Sequence, residues 1–388
     1  MEFHSLFPVS KIYKIIVNIN EYPLALTNEQ IQILDRTQEF AEKYKVDVHE
    51  AFSDIDMIYR FVYQKKEIGD LYDDEADTGS KNRQTRKTYI KELLVFYNHL
   101  NENKHVLLED TFHTKSQSIL RIIEPRHILN YQKWLVLAPL GRNGQPYKKT
   151  TIAKKTVVLK AFFKYLYEQK YTEMPLHYSL VSANVTRNDL PNRDITYDEV
   201  KQILDFYKNS PLHYTILITL ATSGLRAAEL ATAKWKDISK DHRGYWLKVM
   251  GKGRKEREVY LMDYVFDALV QFRKRKGLAT ELDSLDDSYL ILTSKMKPYS
   301  PNHLSKFVSE MISRTKLPFL LHHTRNGKIS AHFFRHFYAI FSRENGADIY
   351  SISTSLGHES IRTTQIYLAK HEKRDTNVGL VWKNKSNF

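Results

Sequence analysis

Apolar residues recur at helical spacing through most of this chain, and in one short stretch they alternate with a period of two instead. Residues 27–45, TNEQIQILDRTQEFAEKYK, place Ile31, Leu34 and Phe40 near a 3.6-residue period behind a Thr or Asn start signal, which predicts a helix; residues 48–68 predict a second. A polar, acidic run, GDLYDDEADTGSKNRQ, follows. Residues 69–84 are therefore expected to be a linker or exposed loop, with a first domain boundary near 80. Between 85 and 187, three stretches predict helices with basic faces: TRKTYIKELLVFYNHLNENK, EPRHILNYQKWLVLA and TTIAKKTVVLKAFFKYLYEQK. In the last, Ile152, Leu159, Phe162, Phe163 and Leu166 form one apolar stripe, while Lys154, Lys160 and Lys164 project on other sides as candidate contacts to a polyanion or as a solvated face.

NDLPNRDITY, residues 188–197, mixes turn formers with charge and is expected to form an interdomain linker ahead of a helix at 197–208. Further on, GYWLKVM and EREVYLM alternate as strands around a KGRK turn. The expected fold is mainly α with a small antiparallel β-sheet. It is expected to divide into an acidic helical domain at 1–80, a helical domain with basic faces at 81–188 and a third domain at 189–388.

Charge sharpens this division. The chain carries 59 Lys+Arg against 45 Asp+Glu, but residues 1–80 hold 8 basic and 16 acidic side chains, which leaves 51 against 29 for the remainder. These regions cannot share one electrostatic role, and a surface that tracks a polyanion belongs to the later one. With no cysteine, disulfides, thiolate catalysis and cysteine-bound zinc are excluded. No apolar run reaches the roughly 18 residues of a membrane span, and the opening MEFHSLFPVSKIYK lacks the order of a signal peptide, so a cytoplasmic location without a membrane partner is expected.

Candidate chemistry lies in four segments. In SGLRAAELATAKW, Arg226 and Glu229 stand three apart, so the carboxylate can steady a guanidinium that grips a phosphate; a helix-surface salt bridge is the alternative. In GKGRKER, Lys252 enters the hairpin and can act as a general acid, with Lys255 beside it and a solvated basic turn as the plain alternative. In AHFFRH, His332 and Arg335 follow Ser330, a candidate N-cap, which sets both near the positive end of a helix; His336 and His358 compete with His332 for any role. In LGHESIRTTQIYL, Gly357 stops a helix, His358 occupies the turn, Ser360 starts another helix, and Tyr367, one of 25 tyrosines, follows.

In this order, SGLRAAEL, GKGRKER, HFFR and LGHESIRTTQIY resemble the motifs of the tyrosine recombinase, or phage integrase, family over roughly residues 85–388. The resemblance implies a catalytic set of Arg226, Lys252, His332, Arg335, His358 and Tyr367, with Glu229 in support. It also implies a core-binding domain that, with the catalytic domain, clamps double-stranded DNA. Tyr367 would form a 3′-phosphotyrosyl bond and release a 5′ hydroxyl. Bond energy would be kept in that link, so no cofactor is expected, and no metal, since the motifs offer no cluster of carboxylates around Glu229. Exchange between two duplexes would need a tetramer on paired sites. Val378, Leu380, Val381 and Trp382 would dock on a neighbouring subunit or pack on their own domain. Residues 1–80, too acidic for a second DNA site, would serve subunit contacts or an accessory protein. An integrase or transposase of a mobile element is the preferred role; an Xer-type dimer resolvase, a type IB topoisomerase and a non-catalytic DNA-binding regulator are the alternatives.

Overall fold

The computed structural model describes residues 22–64, 83–105, 118–186, 189, 193–251, 255–321, 328–358, 360–365 and 368. Lys252, Tyr367, the four apolar residues 378, 380, 381 and 382, and residues 69–82 of the expected linker lie outside the described residues. Contacts divide the chain into two compact units, Met1–Leu190 and Pro191–Phe388.

In the first unit, α1 (Asn28–Tyr44) begins at a capping box in which Thr27 accepts from the Gln30 N–H and the Gln30 side chain returns to the Thr27 N–H. The helix expected over 48–68 is instead two, α2 (Val48–Ala51) and α3 (Asp54–Tyr63). Ser53 and Asp56 build a second capping box at the break and start the chain afresh. Among the described residues, four α-helices follow: α4 (Arg83–Glu102), α5 (Ile119–Ile122), α6 (Pro125–Leu137) and α7 (Lys149–Glu168).

The boundary expected near residue 80 does not separate two cores. Ile58 and Phe61 of α3 belong to the same apolar cluster as Leu93 and Phe96 of α4, Ile128 of α6, and Phe162 and Leu166 of α7. Asp54 gives the physical reason. It is 4% exposed and accepts hydrogen bonds from the Ile119 N–H at 2.7 Å, the Leu120 N–H at 3.2 Å and the Tyr171 hydroxyl at 2.7 Å. An acid counted in the sequence as surface charge thus caps α5 from far upstream, and helices on both sides of residue 80 close over it.

The second unit is built around α9 (Pro211–Ser223), which follows α8 (Tyr197–Phe206). Helix α9 buries Ile216, Leu217 and Leu220 and is apolar nearly all round, as a central helix must be. After the short α10 (Ala227–Thr232) comes an antiparallel meander of β1 (Ile238–Asp241), β2 (Gly244–Met250) and β3 (Glu256–Leu261). The register pairs Leu247 with Val259 and Val249 with Arg257, so Leu247, Val249, Val259 and Leu261 are buried together. Strands β2 and β3 match the expectation; β1 was not anticipated, because ISKD has no alternation and is held by backbone pairing to β2. Helices α11 (Asp263–Arg275), α12 (Pro301–Arg314), α13 (Pro318–Leu321), α14 (Ala331–Glu344) and α15 (Ile349–Leu356) complete the unit. Helices α8, α11, α12 and α14 and strand β3 pack on α9. Among the described residues, no helix is long and apolar enough to cross a membrane.

Substituting Asp54 by Ala strands two backbone N–H groups and a buried hydroxyl, and should destabilise the first unit by about 3 kcal/mol. Urea unfolding is the measurement; an unchanged midpoint would show that Asp54 does not hold the unit together.

Candidate active site

Helix α9 ends at Gly224, whose φ of 62° is left-handed, and a Cβ there would lie 2.7 Å from the Tyr338 ring and 2.9 Å from Leu356. Only glycine lets this turn lie so close to α14 and α15. Two residues on, Arg226 is the N-cap of α10, with φ −74° and ψ 150°, rather than a residue within the helix. That position turns it onto Glu229. Oε1 of Glu229 accepts from Arg226 Nη1 and Oε2 from the Arg226 backbone N–H, both at 2.7 Å.

A third residue shares this carboxylate. Arg257 of β3 donates from Nη1 and Nη2 to the two oxygens of Glu229 at 2.8 and 2.9 Å, and from Nε to the Ser355 carbonyl at 2.9 Å. Glu229 is 4% exposed. Burial pushes its carboxyl up, but hydrogen bonding and charge from Arg257, then hydrogen bonds from Arg226, outweigh burial and hold it below the usual carboxylate range.

Arg335, in the second turn of α14 and 1% exposed, donates from Nη1 to Gly224 O at 2.7 Å and from Nη2 to Leu356 O at 2.5 Å. Arg226 Nη2 reaches Gly357 O at 3.4 Å. The two arginines therefore tie the α9–α10 turn to the end of α15. Gly357 closes α15 with φ 61°, and the His358 N–H bonds to Ser353 O at 3.0 Å. The His358 ring meets the buried Thr364 hydroxyl through Nδ1 at 2.8 Å. Thr364 sits in the helical residues 361–365, which Ser360 introduces by accepting from the Arg362 N–H at 3.3 Å.

Burial first, and then neighbouring arginines, lower the histidines. His332 falls to about 4 beside Arg193, Arg335 and Arg226. His358 falls to about 4 beside Arg335, Arg226 and Arg257. His336 falls to about 3; burial leads there too, followed by His332, whose ring centroid lies 4.8 Å away. At neutral pH these imidazoles are uncharged and surrounded by guanidinium groups. The arrangement suits an anion: fixed cations for its charge, and neutral rings able to donate or accept a proton.

The structure thus brings together Arg226, Glu229, His332, Arg335 and His358. Ser330 is the N-cap of α14 by position but makes no side-chain cap hydrogen bond. Of the lysines on α7, in the first unit, Lys154 is exposed, Lys160 donates to Ser182 Oγ at 2.6 Å, and Lys164 pairs with Glu168 at 3.6 Å. Sequence reasoning missed Arg257 and Thr364. A signal for Arg257 existed: in EREVYL it shares the inward phase of the strand with Val259 and Leu261, where a charge needs a partner. Among the described residues, the one group of three side chains arranged to hold a metal is Asp47, His49 and Glu50, in the first unit.

Residues 193–374 match the phage integrase family. Similar proteins include the tyrosine recombinase XerC of Syntrophus aciditrophicus, 29% identical over 294 residues that cover 74% of this chain and 86% of the relative. Another is XerC of Pediococcus pentosaceus, 27% identical over 226 residues, covering 56% and 71%. Among solved structures, a lambda integrase dimer bound to a COC′ core site gives a TM-score of 0.58 at 13% identity, covering 87% of this chain and 86% of that one. A post-cleavage complex of XerH with palindromic difH gives 0.56 at 17%, covering 82% and 94%.

Because the three histidines are held below their ordinary value near 6.5, the unfolded chain binds protons that the native one excludes, between about pH 6.5 and 4 for His332 and His358 and down to about pH 3 for His336. Their contribution is complete above pH 6.5 and is lost on acidification. The thermal midpoint should fall over this window, less steeply in His336→Gln; identical slopes in both proteins would sink the assignment.

Proposed function

We propose, for a chain that belongs to the phage integrase family and is a tyrosine-type site-specific DNA recombinase, that Tyr367 is the nucleophile and that Arg226, Arg335, His332 and His358 surround the scissile phosphate. The observation that carries this reading is the meeting of both arginines at the Gly224 and Leu356–Gly357 carbonyls, with His358 in the next position and Tyr367 nine residues beyond it. In the step itself the phenol oxygen bonds to phosphorus as the P–O5′ bond breaks. The 5′ oxygen takes a proton from Lys252, and the phenol proton passes to His332 or to water. A phenol near its reference pKa of ~10 needs that help at neutral pH. His332 is a weak base in the free site, but a phosphate anion offsets the nearby guanidinium charge and raises its proton affinity when DNA is present. Arg226 and Arg335 stabilise the charge that accumulates on the nonbridging oxygens. The released 5′ hydroxyl, or that of a partner strand, reverses the reaction, so the chemistry requires neither nucleotide hydrolysis nor redox change.

The partner in this reading is double-stranded DNA at specific sites, held by the two units and assembled on paired sites as a tetramer. Helix α1 exposes Glu29, Asp35, Glu39 and Glu42 against Arg36 and Lys43, a net negative balance that suits an accessory protein better than DNA. Integration, excision or transposition of a mobile element is the preferred biological role. Resolution of chromosome or plasmid dimers is the second reading, favoured by the similarity to XerC proteins.

Tyr367→Phe should abolish covalent attachment to a nicked suicide duplex while DNA affinity is retained; an adduct with that variant would reject the nucleophile. Arg226→Ala should slow adduct formation by roughly a hundredfold or more. If Lys154, Lys160 and Lys164 contact phosphates, replacing all three by Ala should reduce the slope of log K against log salt by about 3, and an unchanged slope would remove this face of α7 from the interface.

A further inference from the structure

Arg257 has no place in the set that the sequence suggested, yet three of its donors are committed inside the site, two to Glu229 and one to Ser355 O. Its side chain is 11% exposed, against 33% for Arg226. A Cβ on Gly357 would lie 3.1 Å from Arg257 Cδ, so this side chain runs along the turn that carries His358. Arg226 and Arg257 therefore differ in kind: one is partly open to an incoming group, the other is enclosed.

Glu229 is the junction between them. Oε1 accepts from Nη1 of both arginines, and Oε2 accepts from the Arg226 backbone N–H and Arg257 Nη2, which fills the acceptor positions of the carboxylate. A carboxylate left with one guanidinium tends to close on it as a two-bonded pair. Were Arg226 gripped in that way, its Nη2 would leave Gly357 O and its charge would be cancelled locally. The second guanidinium divides the negative charge and prevents this.

We propose that Arg257 is a positioning residue for strand cleavage: by sharing Glu229 it keeps Arg226 open toward the scissile phosphate, and by bonding Ser355 O it fixes the turn that presents His358. This inference rests on the recombinase reading above. It requires the fork of an arginine; lysine restores the charge at a single point and cannot span both oxygens.

The test uses the full-length chain with Arg257→Gln and Arg257→Lys, in two arms. In crystals of Arg257→Gln, the Arg226 guanidinium should have turned from Gly357 O onto both Glu229 oxygens, and an unmoved Arg226 would overturn the proposal. In single-turnover reactions at saturating nicked suicide duplex, Arg257→Gln should form the adduct about 10–100-fold more slowly with DNA affinity changed by less than about threefold, and Arg257→Lys should recover some of the loss. The Arg226→Ala/Arg257→Gln double variant should be slower than Arg226→Ala alone by less than the full Arg257→Gln loss, since part of that loss runs through Arg226 and the rest through the His358 turn. Losses that multiply, or a rate equal to wild type in Arg257→Gln, would overturn it. The crystallographic arm needs no chemistry, so a wild-type protein that forms no adduct would reject the recombinase reading while the positioning of Arg226 is still decided.

Discussion

One buried carboxylate organises the second unit. Glu229 draws together the start of α10, the inward face of β3 and, through Arg257, the last turn of α15, three segments that the chain visits far apart. Each partner needs the others. Without the arginines a carboxylate at this depth would take up a proton, and without the carboxylate the two guanidinium groups would repel across the same space. A set of cations that would fly apart in isolation is thereby held as a fixed surface of positive potential.

A further cation is fixed by other means. Arg335 is held by the Gly224 and Leu356 carbonyls, so its orientation follows from where α9 and α15 stop. Both helices stop at glycines in the left-handed region, which aim main-chain oxygens that a longer helix would have spent internally. Donors restrained by backbone have little reorganisation left to do when negative charge is placed beside them. The cost falls on the histidines, which burial first and the neighbouring guanidinium groups second hold well below their usual range.

How far the sequence could be followed depended on how local each determinant was. The Arg226–Glu229 pair and the Gly357 stop were legible because each is written within a few residues, and the alternation of β2 and β3 was legible for the same reason. Strand β1 exists only as a partner to β2 and has no pattern of its own. Arg257 was hidden because its partner lies 28 positions away, although an arginine in the inward phase of a strand was a usable sign. The boundary near residue 80 was read from the polar run at 69–84, a local signal that does not reveal that helices on both sides of it share one apolar cluster.

The bond between Asp54 and Tyr171 spans 117 positions. On a ribosome, the apolar face of α3 therefore emerges long before the groups that complete its surroundings. The first unit cannot finish folding until its C-terminal region has left the exit tunnel, and closure of so distant a contact is slow. For that interval the nascent chain carries Ile58 and Phe61 uncovered, the kind of surface that chaperones bind.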